Sequence, residues 1–221
     1  MVCLFLINKT YLPFQLHKRY SRMILNHLWG LYTHPKEEWH SIEERHESYF
    51  YSLSHIAIIS LIPVLMSYYS AAHLGWSIGV GDIIKLTPNS AMLMSIGMYF
   101  GLMVGVISLA ILIHELAKAF DAAPTYTQSL ELAAYTATPL FMVGFAAFFP
   151  VLWFVMLIGL VGLTYSVYLL YAGTPILMHI PEGKGFIYAS SVVTCGLVLL
   201  AILMAASVIL WSMGMGPVYV G

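Results

Sequence analysis

Two stretches of this chain place ionisable residues at spacings that chemistry uses. Glu37-x-x-His40 and Glu43-x-x-His46 set carboxylates three residues before imidazoles, and His114-Glu115-Leu-Ala-Lys118 opens like a zinc-binding helix. Di-iron bundles use Glu-x-x-His pairs, but from two separate helices, with further glutamates from two more. Here both pairs fall in one short segment, where positions six apart stand about 240° apart around a helix. His40 and His46 therefore do not converge on one ion, and a charged, solvated face is the plainer reading. The zincin signature needs histidines at i and i+4, and Lys118 stands where the second belongs. What is left is His114 beside Glu115. Ionisable groups at membrane depth are functional by default, whereas at the interface Glu115 and Lys118 simply pair or extend to water. The sequence has no phosphate-cradling glycine loop, no G-x-S-x-G turn and no Cys/His pair at catalytic spacing. Cys195 sits in an apolar run and reads as a small packing residue. Nothing here points to an enzyme, and no metal or cofactor is expected.

Hydroxyls and glycines give a second set of candidates. Tyr135, Thr136 and Thr138 directly precede Pro139, and Tyr165, Tyr168 and Tyr171 recur every three residues. A proline inside a helix frees a backbone carbonyl and bends the helix; neighbouring hydroxyls can then satisfy that group. Two readings stand for these residues: a polar, proline-bent seam between two helices, or an ordinary belt of interfacial tyrosines. Gly97, Gly101 and Gly105 repeat every four residues, and Gly159, Gly162 and Ser166, then Ala201 and Ala205, form similar stripes. Small-residue stripes let membrane helices approach closely. They are expected to pack the bundle, with assembly of a homo-oligomer as the alternative.

The elements that must position these residues are membrane helices. The 221 residues are 60% hydrophobic and only 9% charged, with mean hydropathy +0.85. A soluble domain has about 45–50% and about 25%. Net charge is −1, so no basic field attracts nucleic acid. Two cysteines cannot build a disulfide framework. A span needs roughly 20 apolar residues. Five runs qualify: Tyr51–Ala72, Ala91–Ile113 with helical pattern continuing to Phe120, Leu130–Phe149, Val151–Tyr171 and Phe186–Met213. Asp121–Thr127 reads as a loop, Glu131 as a first-turn carboxylate, and Gly173, Thr174 and Pro175 as the end of the fourth span. The runs are continuous, without the alternation of a barrel. The expected fold is an all-α bundle of five transmembrane helices at residues 51–213, with a short tail over 214–221.

Ahead of the spans, Thr33-His-Pro35-Lys-Glu37-Glu38 reads as a helix start. Trp39, Ile42, His46 and Tyr49 fall at helical spacing, so residues 23–50 form an amphipathic segment. It lies either in the membrane plane, with Trp29, Tyr32 and Trp39 at headgroup level, or solvated beneath the bundle. Met1–Arg22 reads either as an upstream extension before a start at Met23 or as a basic tail. With the N-terminus inside, eight of the nine Lys and Arg lie inside and one outside, which favours that orientation.

The segments His27-Leu-Trp-Gly-Leu-Tyr-Thr-His-Pro35, Ala134-Tyr-Thr-Ala-Thr-Pro-Leu140 and Tyr165-Ser-Val-Tyr-Leu-Leu-Tyr-Ala-Gly173 resemble bacterial inner-membrane members of the Yip (Ypt/Rab-interacting protein) family. Gly75-Trp76 and Val208-Ile-Leu-Trp211 extend the likeness, which runs from Met23 to the end. His114-Glu115 is not part of the pattern. The resemblance implies five spans in a bacterial inner membrane, with a cytoplasmic N-terminus and a periplasmic C-terminus. Eukaryotic relatives are linked to small GTPases and vesicle traffic, a role that does not carry to a bacterium. The expected function is a non-enzymatic protein that organises the lipid bilayer or binds a membrane-protein partner or a second copy. The alternative is a small-solute or ion transporter or channel.

Overall fold

The computed structural model describes residues 30–45, 48–77 and 81–220. Met1–Arg22, Trp29 and His46 lie outside the described residues. Among the described residues, five helical stretches are long and apolar enough to cross a membrane: Tyr49–Leu74, Pro88–Phe120, Tyr126–Phe148, Leu152–Leu177 and Gly183–Met215. They follow a short helix, α1, at Pro35–Arg45. The expected five-span bundle is the observed fold.

The first span is broken into α2 (Tyr49–Ile59) and α3 (Leu61–Tyr69), joined at Ser60 and closed by a π-turn over Ser70–Leu74. Pro63, in the first turn of α3, lacks the N–H that a continuous helix would use there. Gly75 ends the turn at φ 78°, where a side chain would strike Ile83, and its N–H bonds Ser70 O at 2.7 Å. The second span is α4 (Pro88–Ala117), started by proline and ended by a 3-10 turn and a left-handed Asp121.

The third span, α5 (Tyr126–Met142), begins four residues earlier than its apolar run suggests. Thr125 and Gln128 form a reciprocal capping box, which satisfies two N–H groups at once. Glu131 therefore sits in the second turn rather than the first, and it is buried at 2% exposure. Beyond Met142 the chain tightens into a 3-10 segment, Val143–Phe148.

The fourth span, α6 (Leu152–Leu177), corrects the expected stop at Gly173–Pro175: the helix runs through all three residues. Thr174 donates its hydroxyl to Leu170 O at 2.7 Å. Proline is tolerated in a spanning helix where neighbours and hydroxyls re-satisfy the backbone. The fifth span, α7 (Glu182–Leu210), ends in a π-turn over Trp211–Met215.

The third span is the hub, packing against α2, α4 and α6, and its 3-10 end packs on α3. The core gathers round it: Leu130, Leu132, Ala133 and Tyr135 are fully buried. The fifth span packs on α4 and α6 and is mostly exposed to the bilayer.

Connectors collect at the two ends. At one, Trp76 and Ile84 exchange backbone bonds of 2.9 Å, Ser77 N–H reaches Pro150 O, and Leu152 N–H reaches Ser77 O. The tail joins the same loop through Thr87 N–H to Val218 O and Val220 N–H to Lys85 O. At the other end, Lys184 reaches Asp121 at 3.3 Å and His179 reaches Glu43 on α1 at 2.7 Å.

Candidate functional site

The first four turns of α5 carry polar side chains into the middle of the bundle. Tyr135 is fully buried; its ring meets Trp39 of α1 edge-on at 6.1 Å and His55 of α2 at 4.8 Å. Thr138 donates its hydroxyl to Ala134 O at 2.9 Å, so it accepts from His55 Nε2–H, 3.1 Å away. Thr136 donates to Leu132 O at 2.6 Å and approaches Ala133 O at 3.1 Å. His55 is 1% exposed and Glu131 2%. Two elements thus converge on the Glu131–Thr138 stretch of α5: α1 through Trp39 and α2 through His55.

The seam differs from the expected one in two ways. The threonine hydroxyls bond the carbonyls of Leu132, Ala133 and Ala134, not that of Tyr135, which Pro139 deprives of its usual donor. In a helix the natural reach of a threonine hydroxyl is its own i−3 or i−4 carbonyl. The span-four tyrosines, moreover, do not join the group. Tyr165 donates to Leu31 O at 2.6 Å and stacks on Tyr32 at 5.3 Å, with Tyr168 alongside at 5.6 Å. Tyr171 turns to span five, where it meets Ser190 Oγ at 2.7 Å. Positions six apart stand about 240° apart around a helix, which splits the ladder between two neighbours. Burial, and next the Tyr165 hydroxyl, hold the Tyr32 phenol above its ordinary value of 10.0.

Sequence reading missed His55 as a member, since its partner lies 83 residues away; the signal was a lone histidine inside an apolar run. Of the two readings of this segment, one placed Trp39 at headgroup level and the other set a solvated helix beneath the bundle. Trp39 and Ile42 are instead fully buried, so α1 docks under the bundle against α6. Gly173 makes that docking close: a Cβ there would lie 2.6 Å from Trp39 Cε2.

His114 and Glu115 form no site with each other. His114 meets Tyr126 edge-on at 6.0 Å, while Glu115 and Lys118 pair at 2.7 Å with both side chains more than half exposed. Among the described residues no group of three or more His, Cys, Asp or Glu could hold a metal ion.

The glycine stripe is not the packing seam expected of it. At Gly97 and Gly101 a Cβ would meet nothing within 4 Å, and Gly105 is approached only by the tip of Leu203, at 3.3 Å. Gly159 is also open, and Ala201 and Ala205 are exposed. Spacing defines a face, and here Gly101 and Gly105 border a gap across which the neighbouring helices stand off rather than close in. Of the span-four stripe, Gly162 does pack closely, against Val143, and a further close approach falls at Gly144, against Pro63.

A polytopic helical membrane protein with a small docked helix and a buried polar cluster is the class that this architecture defines. The model of the Yip1 domain matches residues 29–203. The chain belongs to the Yip family, in agreement with the resemblance drawn from its motifs. It is 32% identical over 191 residues to the inner membrane protein YohC of Escherichia coli K12, covering 86% of this chain and 98% of that protein. The protein of the same name from Escherichia coli O6:H1 gives the same figures. No solved structure matches.

Proposed function

We propose that the chain is a non-enzymatic inner-membrane protein that organises lipid or engages a membrane-protein partner, or a second copy, through its helical surface. One observation carries this reading: the hydroxyls of Thr136 and Thr138, deep in the bundle, spend their protons on their own helix. A transport path needs polar groups free to meet water or solute, whereas these hydroxyl protons are already bonded within the helix, and the cavity that Thr136 borders is walled almost wholly by apolar side chains. No cofactor and no nucleic acid enter this reading. The name of the E. coli relatives supports an inner-membrane location. The charge count supports a cytoplasmic N-terminus and a periplasmic C-terminus.

A transporter or channel is the second reading, favoured by the burial of His55 and Glu131 inside spanning segments. Ionisable residues at that depth mark ion and proton paths in other proteins. Cysteines at Thr136 and Thr138, in a chain whose Cys3 and Cys195 are serine, separate the two. Little or no reaction with a small water-soluble thiol reagent is expected from either side. Ready labelling at both positions, protected by a particular solute, would replace the first reading with the second.

Topology is tested independently. A reporter after Gly221 should report the periplasm, and one in the Asp121–Thr127 loop the cytoplasm. Both on one side would contradict five spans, because parity fixes the side of the tail.

A further inference from the structure

Between the second, third, fourth and fifth spans lies a cavity of about 400 Å³. Its walls include Gly101 and Val106 of α4, Phe141 of α5, Leu170 of α6, and Val192 and Leu200 of α7. It exists because α7 is held off the hub. Tyr188 donates to Ile113 O at 2.6 Å, Gly196 and Leu109 approach one another, and Leu203 reaches Gly105. These contacts fix α7 along α4, while α5 has little contact with it. Toward α6, α7 is tied near the short connector by Tyr171 and Ser190. Further along, the wall residues Leu197 and Leu200 are about half exposed, at 52% and 48%, so the cavity communicates with the surrounding bilayer.

We propose that this slot binds one acyl chain of a bilayer phospholipid. Three observations select that occupant. The wall is almost wholly apolar, and of its hydroxyls Thr136 already donates to Leu132 O. Water in a cavity needs two to four polar partners, and the Ser166 hydroxyl, buried without a partner, supplies one. The slot is long: on α7 its wall runs from Val192 to Leu203, about 16 Å of helix, close to half of a hydrocarbon core of about 30 Å. It therefore follows the helix axes, the direction in which the chains of one leaflet lie. The volume is also ample, since cavities of about 150 Å³ in apolar interiors already admit benzene. The side opening lets one chain enter while its glycerol and headgroup stay outside. This inference does not rest on the scaffold reading; an apolar slot beside α7 is compatible with either function.

The test uses the full chain in vesicles of phosphatidylethanolamine and phosphatidylglycerol, doped with phosphatidylcholine carrying a diazirine midway along one acyl chain. After irradiation, adducts are mapped to residues. Adducts on Val106 and Phe141 are expected, although these side chains are only 5% and 4% exposed. Adducts confined to outward residues such as Leu157, Val161 and Ile202 would overturn the proposal. Gly101→Phe fills the slot from α4, where a Cβ meets nothing, and should remove the inner adducts while leaving the outer ones. Inner adducts undiminished in a folded Gly101→Phe chain would also overturn it, and the native chain decides alone if that variant does not fold. Ser166→Ala should leave the inner adducts unchanged. Their loss would show a polar ligand held through that hydroxyl instead of an acyl chain. A diazirine placed on free palmitic acid should give weaker inner labelling than the phospholipid probe; the reverse would assign the slot to a free fatty acid.

Discussion

Gly144→Ala is expected to lower the thermal midpoint of the detergent-solubilised protein by on the order of 10 °C. The added Cβ would lie 2.5 Å from Pro63 Cα and 2.8 Å from Pro63 N. Both are main-chain atoms of α3, and a backbone cannot rotate aside as a side chain can. The first span and the 3-10 end of the third must separate, and dispersion contacts along both are stretched together. Overpacking of this kind costs about 3 kcal/mol at the upper end of its usual range. Gly97→Ala provides the contrast, since nothing stands within 4 Å of its Cβ. It should hold or raise the midpoint, because alanine is the better helix former by about 1 kcal/mol. Equal midpoints for the two variants would show that Gly144 and Pro63 are not in contact.

Gly173→Leu is expected to release α1 from the bundle while the five spans stay folded. A Cβ at that position would sit 2.6 Å and 2.8 Å from two indole atoms of Trp39 and 2.9 Å from Leu132 Cδ1. Trp39 is fully buried and packed edge-on against Tyr135, so the ring has no free space to move into. A cost of about 2 kcal/mol raises the undocked fraction about 30-fold. Trypsin cleavage at Lys36 and Arg45, measured on the protein in detergent, reads that fraction. Adding Trp39→Ala to Gly173→Leu should cost less than the sum of the two single changes, because the clash goes with the indole. Strict additivity would mean that the two residues do not touch.

These two glycines also show where the sequence was readable. Helix type and number followed from continuous apolar runs, because lipid forces each backbone group to be satisfied within its own segment. Boundaries were less legible where polar chemistry overrides hydropathy. The start of α5 was written in Thr125 and Gln128, a capping signal that an apolar count passes over. The end of α6 was misplaced because Gly173 and Pro175 are breakers in water, whereas here Thr174 bonds Leu170 and the helix continues. Gly97, Gly101 and Gly105 share a face by their spacing, but what a face meets depends on partners distant in sequence. Gly144 gave no periodic signal, yet it carries the tightest backbone approach, since its partner Pro63 belongs to another span. The polar cluster was half legible: Tyr135, Thr136 and Thr138 were visible beside Pro139, whereas His55 joins them only through the tertiary fold.

The tail's pairing with the first loop has a consequence for biosynthesis. Lys85 and Thr87 leave the ribosome soon after span one, yet their backbone partners, Val220 and Val218, are made only after span five. Until then this stretch carries open edge groups, which water satisfies at the membrane surface and which any other strand can occupy. Ser90 waits in the same way, its hydroxyl accepting from Val218 N–H at 3.0 Å. Pro150 and Leu152 reach Ser77 at an intermediate stage, as the fourth span begins. The loop thus works as a template that is filled in translation order, and the final latch closes only once the whole bundle has been inserted.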